Sequence, residues 1–218
     1  MRKDFSPADL SSAEFYRLLT AVIVPRPIAW VSSTSAGGVD NLAPHSFFTV
    51  ASVTPPIIQF TSVGRKDTLR NINERGEFVV SLAPADFLAE VNATGTNFPP
   101  EVSEFDAAGL TREASVTVSV PRVAESPVAL ECRLHSTLAM GDCVLVFGEV
   151  THAAVSADVL EGNHPRIDLL GPLARLGRDE WGHLGPVEEL RRIRRSDWPG
   201  DFRRRDEGEP DDGKPSGP

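Results

Sequence analysis

Residues 62–72 read Ser-Val-Gly-Arg-Lys-Asp-Thr-Leu-Arg-Asn-Ile. Ser62, Arg65, Lys66, Asp67 and Thr68 put two hydroxyls, two cations and a carboxylate around a glycine. The apolar run Ile57-Ile58-Gln59-Phe60 enters this stretch as a strand. Leu69 and Ile72, three apart with Gly76 beyond, leave it as a short helix. A helix start leaves N–H groups unpaired at the positive end of its dipole, which suits an anion. With Arg65, Lys66 and Thr68 added, phosphate is the natural guest. The competing reading is an ordinary strand–loop–helix connection carrying solvated charges.

Two further segments could build a wall around a ligand. The first is Asn41-Leu42-Ala43-Pro44-His45-Ser46-Phe47-Phe48. Pro44 fixes φ and removes a donor, while the small Ala43 and Ser46 let a flat ligand approach the backbone. The same residues also read as a hairpin turn followed by a core aromatic pair. The second is Val24-Pro25-Arg26-Pro27-Ile28-Ala29-Trp30-Val31-Ser32. Its two prolines make a stiff, extended entrance to a strand, and Trp30 suits either the core or a stacking surface.

Other chemistries lack their patterns. The histidines at 45, 135, 152, 164 and 183 show no metal-ligand spacing with one another or with Cys132 and Cys143. There is no Gly-x-Ser-x-Gly, no P-loop and no Gly-x-Gly-x-x-Gly after a strand. A nicotinamide nucleotide would therefore have to visit a site built for something else.

The elements that must position these residues are mostly strands. Short β-branched or aromatic runs at 28–34, 46–53, 57–61 and 78–82 are bounded by turn residues. A helix is expected near the N-terminus, capped by Ser11 or Ser12, and another over 84–91. Residues 92–113 read as a long loop of the kind that often serves function, and 116–120 as a strand. Residues 128–140 and 143–155 form a hairpin about Gly141-Asp142. Its first strand alternates Val128, Leu130, Cys132 and Leu134 with Glu131, Arg133 and His135, one face buried and one wet. Counting from the turn sets Cys132 opposite Thr151, which separates the two thiols far beyond disulfide reach. Residues 144–147 are apolar on both faces and suit the interior or a subunit interface. Many strands and short turns favour a mainly β barrel or sandwich with a few short peripheral helices.

The chain has 218 residues and a formal net charge of −9, which argues against a general nucleic-acid binder. No apolar run approaches the ~20 residues of a membrane helix, and no apolar stretch of signal-peptide type follows the N-terminus. A cytoplasmic location is the expectation. One domain over residues 1–193 and a disordered polar tail at 194–218 are expected.

Taken in order, these segments resemble the flavin reductase-like family of FMN-binding split β-barrels, and within it the flavoredoxin-type branch. The resemblance is carried by 25–32, 41–48, Arg65-Lys66-Asp67-Thr68-Leu69-Arg70-Asn71-Ile72 with Gly76-Glu77-Phe78-Val79-Val80, Glu104-Phe105 with Ala108-Gly109-Leu110-Thr111, and Leu173-Ala174-Arg175-Leu176-Gly177. It implies a six-stranded Greek-key barrel that forms a homodimer with FMN near the subunit interface. It implies that Ser62, Arg65, Lys66, Asp67 and Thr68 cradle the FMN phosphate, and that Asn41, Ala43, Pro44, His45, Ser46 and Phe47 wall the flavin ring. Trp30, Val31 and Ser32 would give the opposite ring and ribityl contacts, and Arg175 a late contact. The implied activity is NAD(P)H:flavin reductase, with NADH or NADPH as transient donor and a monooxygenase or other electron-acceptor protein as partner. The alternative is a non-enzymatic FMN electron carrier. One departure stands out: this chain has Gly177-Arg178-Asp179-Glu180-Trp181 where the family usually has a second glycine and a tyrosine.

Overall fold

The computed structural model describes residues 1–198. The chain divides into two compact units, Met1–Gly185 and a second that starts at Pro186. Between 186 and 198 the second unit holds a single 3-10 turn, Arg195–Asp197. From residue 199 onward the expected tail lies outside the described residues.

The first unit is built on a seven-stranded antiparallel sheet. Its strands are β1 (Ala29–Thr34), β2 (Asp40–His45), β3 (Phe48–Ser52), β4 (Ile57–Val63), β5 (Glu77–Leu82), β6 (Val128–Met140) and β7 (Cys143–Val155). Their spatial order is β2-β1-β5-β6-β7-β4-β3. The two outermost strands are consecutive in sequence, with only Ser46 and Phe47 between His45 and Phe48. The sheet must therefore curl until its edges meet, which makes a barrel split at residues 46–47. The wall segment expected as a turn entering one strand is thus itself a strand, β2, broken from β3 by this kink. That break accounts for seven strands where the resemblance implies six.

The barrel interior is filled by Ala29, Val31, Phe60, Phe78, Val80, Cys132 and Val146, and is plugged by Leu69 and Ile72 from helix α2 (Asp67–Arg75). Gly76 closes that helix in the left-handed region at φ 71°, its N–H donating to Ile72 O at 2.8 Å. Glycine is also required at Gly148, where a Cβ would sit 2.2 Å from the Phe78 ring. A second core on the outer face of β1 gathers Trp30, Leu42, Val91, Phe105, Leu110 and Leu173. Its covering pieces are α3 (Leu88–Ala93) and α4 (Glu104–Ala107). The N-terminal helix α1 (Ser12–Val22) begins with a capping box between Ser11 and Glu14.

Several expectations are corrected. The long loop 92–113 contains α4 and a short strand, Arg112–Glu113, paired with Arg122–Val123. Residues 116–120 form no strand, because the Val116 and Thr117 amides donate to the Glu131 carboxylate instead of a neighbouring strand. Glu131, expected on a wet face, is fully buried. Two bulges, one on each strand of the hairpin, set Cys132 opposite Val150 and leave Thr151 unpaired. Both thiols are free, Cys132 buried and Cys143 half-buried. No helix among the described residues is long and apolar enough to cross a membrane.

Candidate functional site

A cleft of about 370 Å³ opens where the barrel splits. One side is the end of β4 and the start of α2, with Thr61, Val63 and residues 65–68. The facing side is Asn41 and residues 43–47 of β2 and the kink. Residues 94–98, Glu104 and Tyr16 complete it. The sheet's closure brings these stretches together.

The cationic end rests on the start of α2. Lys66 occupies the N-cap position and no side chain caps the helix. The first N–H groups of α2 are thus left for solvent or an anion. Asp67 is engaged by Arg70 at 2.6 Å, while Arg65 and Lys66 pair with no carboxylate among the described residues. Thr68 is 1% exposed and receives a hydrogen bond from Asn41 Nδ2 at 3.1 Å, which ties the helix start to β2. Asn71 Nδ2 donates to Ser33 Oγ at 3.2 Å and anchors the next turn.

The other end is flatter. Phe47 meets Tyr16 edge-on with ring centroids 6.3 Å apart. His45 stacks at a tilt on Phe60 at 4.7 Å, and its buried Nε2 has no partner. Burial, with Lys66 nearby, pushes the His45 pKa down to about 4 against a hydrogen bond to the Thr61 backbone, so the ring is neutral at ordinary pH. Glu104 is 6% exposed, and its Oε2 accepts the Leu42 N–H at 2.9 Å. Burial raises its pKa; that hydrogen bond opposes the rise and the Asp67 charge adds to it.

Asn41, Ala43, Pro44, His45, Ser46, Phe47, Arg65, Lys66, Asp67 and Thr68 all line this one cleft. The remaining predicted site residues stand elsewhere. Ser62 is fully buried, and its Oγ donates to Gly64 O at 2.9 Å, so it shapes the loop from behind. Trp30, Val31 and Ser32 are fully buried and line no part of the cleft. β1 is central and covered on both faces, so Val31 points into the barrel core and Trp30 into the outer core. Trp30 Nε1 donates to Thr94 Oγ1 at 2.9 Å, which fixes the start of the 94–98 stretch. Ser32 Oγ donates to Pro121 O at 2.6 Å. Arg175 lies in an adjoining hollow with Trp181, sharing Pro44, Ser46 and Gly95 with the cleft. The unforeseen lining residues are Tyr16, Thr61, Val63, Glu104 and 94–98. The available signals were the Gly/Asn/Thr-rich character of 94–97 and the apolar stripe of α1. Among the described residues no cluster of His, Cys, Asp or Glu could hold a metal ion.

Comparison with known proteins places this geometry in a wider set. Residues 21–173 match the model of the flavin reductase like domain. An uncharacterized protein of Halalkalibacterium halodurans is 39% identical over 199 residues, spanning 86% of this chain and 95% of its own. Nitrilotriacetate monooxygenase component B from Bacillus cereus is 35% identical with a TM-score of 0.83, over 87% of this chain and 99% of that one. The 2-nitrobenzoate 2-nitroreductase of Pseudomonas fluorescens is 30% identical with a TM-score of 0.82, over 88% and 96%. The flavoredoxin of Desulfovibrio vulgaris, at 21% identity and a TM-score of 0.73 over 87% and 97%, shares the fold. The matched segment holds both walls of the cleft and the whole seven-stranded barrel, and the chain belongs to the flavin reductase-like domain family.

Proposed function

We propose that this chain is an FMN-dependent oxidoreductase, a flavin reductase that draws on NADH or NADPH. The observation that carries the reading is the polarity of the cleft. At one end two cations, without carboxylate partners among the described residues, stand at an uncapped helix start. At the other end a flat wall holds Pro44, Phe47 and the neutral His45 ring. A phosphate with a long planar body matches that donor set from end to end, and the unpartnered His45 Nε2 leaves a polar atom at the ring wall. FMN would be held by Arg65, Lys66, Thr68 and the first N–H groups of α2 at its phosphate, and by residues 43–47 at its ring. A flavin bound there would supply the redox chemistry between a nicotinamide donor and a further electron acceptor.

The chain's own residues bind and orient. Asn41 holds Thr68 in place, Ser62 and Gly64 shape the loop, and Tyr16 with residues 94–98 covers the cleft from water. No side chain has to exchange a proton for this transfer, and His45, neutral and buried, acts as wall. The resemblance to a monooxygenase component at 35% identity supports a monooxygenase or another electron-acceptor protein as the partner. We assign a homodimer as the working assembly. The exposed apolar side chains Tyr16, Leu19, Val22 and Ile23 at α1 support it, and light scattering on the purified protein tests it.

The central test is FMN titration by fluorescence quenching. Wild type is expected to bind, and Lys66→Ala with Thr68→Ala to bind about 100-fold more weakly, since two contacts to an anion are lost. Unchanged affinity in the double variant would sink the cradle assignment. Anaerobic NADH or NADPH alone should bleach the bound flavin. Bleaching only with a reduced partner protein would identify an electron carrier instead.

A further inference from the structure

Beside the cleft, and sharing Pro44, Ser46 and Gly95 with it, lies a hollow of about 200 Å³ lined also by Ile28, Asn92, Arg175 and Trp181. Its volume falls below the roughly 300–1,000 Å³ of pockets for drug-sized ligands, so its guest is a single ring. Among the described residues no carboxylate lines it.

Its charge is set by a pair of arginines. Arg26 and Arg175 face each other directly across the antiparallel pairing of Arg26–Pro27 with Ala174–Arg175. Like charges directly opposite on a sheet are destabilising. Neither arginine has a carboxylate partner among the described residues. Arg26 is buried and donates to the backbone carbonyls of Thr20, Ile23 and Leu176, and its Nε donates to Ser46 Oγ at 3.5 Å. Burial and the charge of Arg175 both lower its pKa. Arg175 is the accessible member. Its guanidinium stacks on the Trp181 ring at 4.5 Å, and Nη2 donates to Arg178 O at 2.9 Å. Arg178 holds φ at +52°, the one non-glycine residue among those described in the left-handed region. Such backbone costs energy and clusters at functional sites; here it belongs to the turn whose carbonyl orients Arg175. A guanidinium fixed this way keeps its remaining N–H groups for a carboxylate, while Pro44, Ile28 and the part of Trp181 that lines the hollow offer apolar surface for a ring.

We infer that the Arg175–Trp181 hollow is a subsite for a small aromatic carboxylate, next to the flavin cleft, with which it shares Pro44, Ser46 and Gly95. This assignment rests on the flavin reading for its role, though not for its binding chemistry. It moves Arg175 from cofactor contact to reactant recognition. It also gives a purpose to the segment 177–181, where this chain departs from the family pattern.

The test is calorimetric titration of the FMN-saturated full-length protein with benzoate, and with neutral benzamide as control. Benzoate is expected to bind at least about tenfold more tightly than benzamide. Arg175→Gln should remove that preference, and Arg175→Lys should keep part of it, since the charge remains but the fork and the stack are lost. Both variants should retain FMN with a Kd within about twofold of wild type, which also reports that they fold. Equal binding of benzoate and benzamide, or an undiminished preference in Arg175→Gln, would overturn the subsite. So would a parallel loss of FMN affinity, or a raised KM for NADH with benzoate binding intact, because either would make Arg175 a cofactor or donor contact. If wild type binds no FMN, the flavin reading fails by itself, and the same titration without FMN still decides the hollow.

Discussion

Glu131 and Glu104 are two buried carboxylates in one barrel, and the protein treats them in opposite ways. Glu131 is surrounded by donors. Arg122 Nε reaches Oε1 at 2.9 Å, the Val116 N–H reaches the same oxygen at 2.9 Å, and Thr117 Oγ1 reaches Oε2 at 2.6 Å. Burial pushes its pKa up, but these bonds outweigh it and hold the group at about 2. Glu104 has the Leu42 N–H and no cation, and burial wins, so its pKa is raised. Burial alone does not set a carboxylate's ionisation; the donors around it decide. A buried charge met by a cation and several donors is a structural lock, whereas Glu104 stands on the cleft wall with one backbone donor and its charge less compensated.

The largest expected effect breaks the lock. Glu131→Gln leaves Arg122 buried at 6% exposure with only the partly exposed Glu113, at 3.2 Å, as a charged partner. Removing one member of a buried pair costs about 3–5 kcal/mol, which thermal unfolding should register as a Tm lower by roughly 10 °C. The pH profile carries the sign. Glu131 has a folded pKa of about 2, below the usual value of about 4.3. Its stabilisation is complete above about 4.3 and drains away as pH falls toward 2. The gap between wild type and variant should therefore narrow in acid. FMN affinity should not move, since Glu131 does not line the cleft. A variant as stable as wild type would refute the lock.

Glu104→Gln should behave in the reverse manner and on a smaller scale. The amide oxygen can still accept the Leu42 N–H, while the buried charge disappears. A carboxyl whose folded pKa is raised loses stability as pH climbs through its unfolded value toward its folded one. The variant should thus match or exceed wild type at pH 7 by within about 2–4 °C of Tm, and that advantage should vanish near pH 4. Because Glu104 lines the cleft, FMN affinity is expected to change here and not at Glu131. Loss of stability at pH 7 together with unchanged FMN binding would place Glu104 beside Glu131 as a second structural lock.

The same contrast explains what is legible in the sequence. Lys66, Thr68 and Gly76 were readable because the chemistry of a helix start is local: N-cap, first turn and glycine stop lie within eleven residues. The hairpin bounds were readable from its turn, yet its register beside Cys132 was not, because the bulges answer to the packing of Gly148 on Phe78 and to the anchoring of Glu131. Glu131 itself read as solvated because two of its partners, Val116 and Thr117, lie in a segment without regular structure, and the third, Arg122, in a strand of only two residues, none of which shows in the alternation of its own strand. Trp30 stood as core or stacking wall, and only the second layer of α3 and α4 over β1 decides for core. Arg175, expected beside the ring wall, lines a separate hollow that shares Pro44 and Ser46 with the cleft, an arrangement that depends on strand pairing between 26–27 and 174–175 and is not written locally.

The smallest effect concerns His45, whose environment links the barrel core to the cationic cradle. Burial is the main cause of its low pKa, and the positive charge of Lys66 adds to it. The folded value of about 4 lies below the unfolded value near 6.5. The neutral ring therefore contributes stability that is fully present above about 6.5 and is lost as pH falls toward 4. Lys66→Ala removes the smaller, coulombic part and leaves burial in place, so the His45 pKa should rise by less than one unit and stay well below 6.5. A bound phosphate would neutralise Lys66 and act in the same direction. Titration of the imidazole by NMR in wild type, in Lys66→Ala and in FMN-saturated wild type should give two small upward shifts relative to the first. A His45 that titrates near 6.5 in wild type would mean that the ring is hydrated. The flat, dry wall opposite the cradle would then have to be redrawn.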